Sequence, residues 1–122
     1  MNILVTGGAG FIGSHLVKRL VALQANVTVI VKYNSLIDCT RLASIWNQIN
    51  VVEADLRNID SVLYLKSIKN KFDIIFHLAA YNHVGDSFAH VNEALITNLL
   101  GTANLFEYGP EYERFIYTAT SE

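Results

Sequence analysis

The chain has 122 residues, 52% of them hydrophobic, with 9 Lys and Arg against 11 Asp and Glu and a formal net charge of −2. That composition describes one core-forming domain, not a disordered segment, and the scattered cations make no patch for nucleic acid. No apolar run is long enough to span a bilayer, no signal peptide is visible, and the single cysteine, Cys39, excludes an internal disulfide, so a cytoplasmic setting is expected.

Residues 2–6 are apolar on both alternating faces and predict a buried strand. A helix is expected over 11–23, with Ile12, Leu16, Leu20 and Leu23 at helical spacing. The β-branched run 27–31 predicts a second strand, 32–40 has turn composition, 41–48 reads as a short helix holding Trp46, and 51–53 as a third strand. Asn58 is placed to cap a helix over 59–69, followed by a strand at 73–78. A long helix is expected over 87–108, with Phe88, Val91, Leu95, Leu99, Thr102 and Phe106 as its buried stripe and Gly109-Pro110 as its stop. Residues 114–118 predict a fifth strand. Strands alternating with helices imply right-handed crossovers, hence an α/β, Rossmann-type, doubly wound parallel sheet of five strands in the order 3-2-1-4-5, occupying residues 1–122 as one domain.

The chain is organised around the turn from Thr6 to Ser14. Gly7, Gly8, Gly10 and Gly13 satisfy both G-x-G-x-x-G and G-x-x-G-x-x-G, between an apolar strand and an apolar helical pattern. Such a turn lets backbone approach a pyrophosphate, and the amides of Phe11, Ile12 and Gly13 at the helix start can hold the anion. A carboxylate about 20 residues past the glycines would bind a ribose 2′-hydroxyl. That place holds Val31 followed by Lys32, which suits a 2′-phosphate. Arg41 is also within sequence reach of that phosphate, although a surface arginine accounts for it as well.

Asp55 can accept from an adenine amino group while Leu56 packs the ring. The small residues after Leu78, Ala79 and Ala80, leave room for a flat cofactor. Thr120 and Glu122, past the fifth strand, face the same crevice, where a hydroxyl can hold a substrate oxygen and a carboxylate can move a proton. The four histidines have no metal-ligand spacing, and no metal is expected.

Taken together these segments resemble the extended short-chain dehydrogenase/reductase family acting on nucleotide sugars. The resemblance rests on Thr6 to Gly13, Asp55-Leu56-Arg57, His77 to Ala80, Thr97-Asn98 with Gly101-Thr102, and Phe115 to Glu122, in the family's order and spacing. Asn82 to Ser87 is more similar to the 4,6-dehydratase segment than to the epimerase one. Thr120-Ser121-Glu122 resembles the GDP-mannose 4,6-dehydratase type and departs at Ser121 from the dTDP-glucose type. The run Val31 to Ser35 is similar to NADP-using dehydratases.

The resemblance implies NADP, with NAD possible, and a nucleotide-sugar substrate. It adds Asn98 to the cofactor-binding set and gives Thr120 the C4 oxygen and Glu122 the C5 proton. It also implies a homo-oligomer, through a helix-mediated face. The family's Tyr-x-x-x-Lys pair is not found: Tyr108, Tyr112 and Tyr117 have no lysine four residues later. The chain is therefore expected to be a truncated, N-terminal part of such an enzyme, inactive alone. A 4-epimerase or decarboxylase of the same family and a non-catalytic dinucleotide-binding module remain the alternatives.

Overall fold

The structure, a computed structural model, describes residues 1–32, 38–81 and 84–119. In chain order these form β1 (Asn2–Thr6), α1 (Phe11–Ala22), β2 (Asn26–Val31), a 3₁₀ segment (Asp38–Gln48) and β3 (Asn50–Glu53). There follow α2 (Ile59–Ile68), β4 (Lys71–His77), α3 (Val84–Ala89), α4 (Val91–Leu95), a π turn (Ile96–Leu100), α5 (Gly101–Tyr108) and β5 (Glu111–Tyr117). The five strands are all parallel in the order β3-β2-β1-β4-β5, the expected doubly wound arrangement.

The central strands explain their own sequence. Successive side chains point to opposite faces, so a strand covered on both sides must be apolar at every position. Ile3, Val5, Val27, Val29 and Val31 pack under α1 with Val17 and Leu20. On the other face Leu4, Ile30, Val52 and Ile75 pack with Val62 and Leu65 of α2 and Leu105 of α5. At the amino edge a polar ladder ties the strand starts together: Lys69 Nζ and Asn26 Nδ2 both donate to Asn2 Oδ1, at 3.0 and 2.7 Å, and Asn50 Nδ2 donates to Asn26 Oδ1 at 3.0 Å. Asn58 caps α2 as expected, its side chain accepting from the Asp60 amide at 2.9 Å.

One expectation holds in part and another fails. The helix α1 forms where expected, with Leu20 buried and Leu16 half-buried against the core, but Ile12 and Leu23 are exposed and Gly13, Ser14 and Val17 complete the buried face. In place of the single helix expected over 87–108 the structure has α3, α4, the π turn and α5. Of its expected buried stripe, Phe88, Val91, Leu95, Leu99 and Phe106 are exposed and Thr102 is half-buried, and the covered positions are Thr97, Gly101 and Leu105. Helices lying close on a sheet beside a tight turn present their small residues to it. A Cβ added at Gly13 would sit 2.1 Å from the Gly7 carbonyl oxygen, so no larger residue fits that contact. Ranking faces by apolar size selects the wrong one.

Candidate dinucleotide crevice

At the carboxyl ends of β1, β2 and β4 the sheet opens into a crevice of about 300 Å³. It is lined by Gly7, Gly10, Lys32, Asp55, Leu56, Arg57, Leu78, Ala79, Ala80 and Thr97 among others. This is where strand order reverses in a doubly wound sheet, since β2 and β4 lie on opposite sides of β1. The structure thus gathers eight of the sequence-derived cofactor positions in one place: Gly7, Gly10, Lys32, Asp55, Leu56, Leu78, Ala79 and Ala80.

The glycine turn is built by contact and by backbone angle. Gly7 has φ +69, and a Cβ there would meet the Ala79 nitrogen at 2.8 Å. Gly10 has ordinary φ −72 and ends the turn with its amide 3.1 Å from the Gly7 carbonyl oxygen. No side chain caps α1 at Gly10, and no acidic residue lies in its first turn. Phe11, Ile12 and Gly13 are therefore the first helical residues, whose amides an uncapped start leaves for an anion. The side chains of Phe11 and Ile12 are exposed. Arg41 Nη1 donates to the Ala9 carbonyl at 3.1 Å, which ties the 3₁₀ segment to the turn.

A buried polar chain holds the floor of the crevice. The Thr6 hydroxyl oxygen accepts from the amides of Leu78 and Ala79 at 3.1 and 3.0 Å. With both acceptor sites taken, its proton goes to His77 Nδ1, 2.7 Å away. His77 is then the Nε2–H tautomer and donates to Thr102 Oγ1 at 2.8 Å, and Thr102 donates to the Asn98 carbonyl at 2.8 Å. The ring is 1% exposed, and burial pushes its pKa down to about 4, so it is a neutral structural link. The His77 carbonyl also accepts from the Thr118 hydroxyl at 2.9 Å, which anchors the end of β5.

Asn98 is not among the residues lining the crevice. Its side-chain oxygen accepts from the Tyr81 amide at 2.6 Å and its Nδ2 donates to the Tyr81 carbonyl at 3.2 Å. It thereby fastens the π turn to the segment after β4. Thr97 is the position that sequence reasoning left out. It is 8% exposed, lines the crevice, and its Oγ1 is buried with no hydrogen-bond partner. An unpaired buried hydroxyl costs about 1–3 kcal/mol, so a polar ligand group there would be accommodated well. Its place beside Asn98 in a helical turn was the available signal. Thr120 and Glu122 lie outside the described residues.

Asp55 is half-buried, and the Arg57 guanidinium beside it holds its carboxyl below the usual carboxylate range. Lys32 is also half-buried at the end of β2 and adds a smaller pull in the same direction. Among the described residues no three His, Cys, Asp or Glu side chains gather as a metal site, and no helix is long and apolar enough to cross a membrane.

A parallel sheet wound on both faces, a glycine turn feeding an uncapped helix, and a crevice at the reversal point define a Rossmann-type fold. Comparison with known proteins narrows this. The family model for GDP-mannose 4,6 dehydratase matches residues 4–122. The dTDP-D-glucose 4,6-dehydratase of Dictyostelium discoideum is 40% identical, covering 99% of this chain and 29% of the relative. A UDP-glucose 4-epimerase of Cyamopsis tetragonoloba is 39% identical, over 87% of this chain and 32% of that protein. The structure of DesIV, a dTDP-glucose 4,6-dehydratase from Streptomyces venezuelae with NAD and TYD bound, superposes with TM-score 0.76 at 32% identity, covering 88% of this chain and 35% of that one. The chain belongs to the GDP-mannose 4,6-dehydratase family of extended short-chain dehydrogenases/reductases, and it spans about a third of the length of these relatives.

Proposed function

We propose that this chain is the cofactor-binding portion of an NADP-preferring nucleotide-sugar 4,6-dehydratase. The observation that carries the reading is the crevice itself, with the glycine turn, Lys32, Asp55 and the Leu78–Ala80 segment on its walls. Gly7, Gly10 and Gly13 allow the pyrophosphate to approach backbone, and the amides of Phe11, Ile12 and Gly13 hold it. Asp55 accepts from the adenine amino group, Leu56 packs beside the ring, and Leu78, Ala79 and Ala80 form a flat wall. Asn98 keeps that wall in place through Tyr81. Lys32, with Val31 where a carboxylate would bind a free 2′-hydroxyl, favours a 2′-phosphate.

When bound, the nicotinamide would supply hydride acceptance at sugar C4 and hydride return at C6. Thr120 would hydrogen-bond the C4 oxygen. Glu122 would take the C5 proton, made acidic by a ketone at C4, as water leaves C6. A 4-epimerase is the second reading, favoured by the epimerase relatives; it does not need Glu122. The lone cysteine supports a cytoplasmic location, and the exposed apolar side chains of 88–106 support a homo-oligomer, which light scattering across a concentration series would detect.

Calorimetry tests the cofactor reading. NADP⁺ should bind more tightly than NAD⁺ by on the order of 1–3 kcal/mol, because charge-assisted hydrogen bonds to phosphate are strong while a half-buried cation is partly screened. Lys32→Ala should erase the difference, and Gly10→Val should abolish binding of both while leaving the sheet folded. Equal affinities in the unsubstituted chain would remove the NADP preference. Unchanged affinity in Gly10→Val would make the glycine turn purely structural.

A further inference from the structure

Asp55 is not held by its own strand. Its Oδ1 accepts from the Arg57 backbone amide and from Arg57 Nε, both at 3.0 Å. Its Oδ2 accepts from Nε at 3.1 Å and from Nη2 at 2.7 Å. Arg57 Nη1 lies 3.8 Å from Glu93 Oε1 on α4, so the guanidinium is held between two carboxylates on separate elements. A carboxylate offers about four lone-pair sites. Three N–H groups of Arg57 occupy the pair of oxygens, with Nε shared between them, which leaves one acceptor site of the four. The fork also fixes the plane of the carboxylate, because a planar guanidinium bonded to both oxygens permits only one orientation.

We propose that Arg57 is a positioning residue for purine selectivity: its fork locks Asp55 as an acceptor with a single free site, so the crevice accepts a 6-amino purine and rejects a 6-oxo purine. A 6-amino group brings the N–H that the remaining site needs. A 6-oxo group brings a second acceptor against a carboxylate that cannot turn away. Rejection by an unpaired polar group is strong where the site is built to make that hydrogen bond. The inference rests on the assignment of Asp55 to the adenine amino group.

The test measures the affinity of the chain for NADP⁺ and for its hypoxanthine analogue by calorimetry, as a ratio, so that changes common to both ligands cancel. The unsubstituted chain should prefer the adenine form by roughly tenfold or more. Arg57→Gln should bring the ratio to within about threefold while binding persists. Arg57→Lys keeps the charge but not the fork and should fall with it. Full selectivity retained in either variant, with Asp55→Ala losing it, would overturn the role of Arg57 and leave the Asp55 assignment standing. Equal affinity for the two dinucleotides in the unsubstituted chain would overturn that assignment itself. Far-UV circular dichroism of each variant verifies that the exposed substitution leaves the fold intact.

Discussion

The two sides of the sheet are finished to different degrees. Every residue of β2 after Asn26 is buried, and so is every residue of β1 after Asn2. β5, at the other edge, has five of its seven residues exposed, with only Phe115 and Ile116 half-covered. The helices tell the same story. α1 meets the glycine turn through a contact so close that only glycine fits, whereas 84–108 holds Phe88 at 81% and Leu99 at 66% exposure. The crevice lies between the two sides, with the glycine turn, Lys32 and Asp55 from the first and Leu78 to Ala80 and Thr97 from the second. The second side also carries an exposed apolar face, a pattern that marks an interaction surface or a hazard of association. Binding and association are therefore separable where they use different residues, and substitutions on that exposed face should leave the crevice unaffected.

The sharpest break is expected between glycines. Gly13→Ala forces a Cβ against the Gly7 backbone and should cost about 4 kcal/mol or more, seen as a loss of midpoint in urea unfolding. Gly85→Ala has nothing within 4 Å and lies in α3, so it should be neutral or stabilise by up to about 1 kcal/mol. Core leucines come next. Leu105→Ala, at 0% exposure, should cost about 2–5 kcal/mol, while Leu99→Ala should stay within about 0.5 kcal/mol.

His77 gives a pH dependence of comparable size. Its folded pKa, about 4, lies below the usual 6.5, so the unfolded chain binds the extra proton first. Stability from this group is fully present above about pH 6.5 and is lost as pH falls towards 4, by about 3 kcal/mol in all. Protonating Nδ1 would also break the hydrogen bond from Thr6. Urea midpoints measured from pH 7 to 4 should show this slope, and His77→Gln should lack it. The smallest effect on stability should come from Leu99→Glu. It should change the urea midpoint little yet shift light-scattering mass towards the monomer, and an unchanged mass would clear the exposed helix face of any part in association.

The sequence was most readable where one force dominates. The sheet order followed from apolar strands alternating with helical segments, and the crevice followed from the sheet order together with the glycines. Lys32, Asp55 and Leu78–Ala80 were placed because each ends a strand, and strand ends converge at the reversal point. The helix faces were not readable by the same means. Periodicity finds an apolar stripe, but Gly13 is set by closeness, and the covered Thr97 and Gly101 carry little apolar surface, which hydrophobic patterning does not weigh. The π turn was equally hidden. It carries Asn98, whose side chain reaches Tyr81, a contact between segments that no local preference encodes. The tie between Thr6 and His77 spans 71 positions in sequence and emerged only with the pairing of β1 and β4.

The central claim is that the crevice at the carboxyl ends of β1, β2 and β4 binds a dinucleotide, independently of the exposed apolar face of 88–106. Amide chemical shifts recorded while NADP⁺ is added to the isotopically labelled chain test it most directly. The account predicts saturable shifts at Gly7 to Gly13, Lys32, Asp55 to Arg57 and Leu78 to Ala80, with Leu95 to Leu100 responding only around Thr97 and Asn98. No shifts at the glycine turn, or shifts centred on Phe88, Leu99 and Phe106, would contradict it.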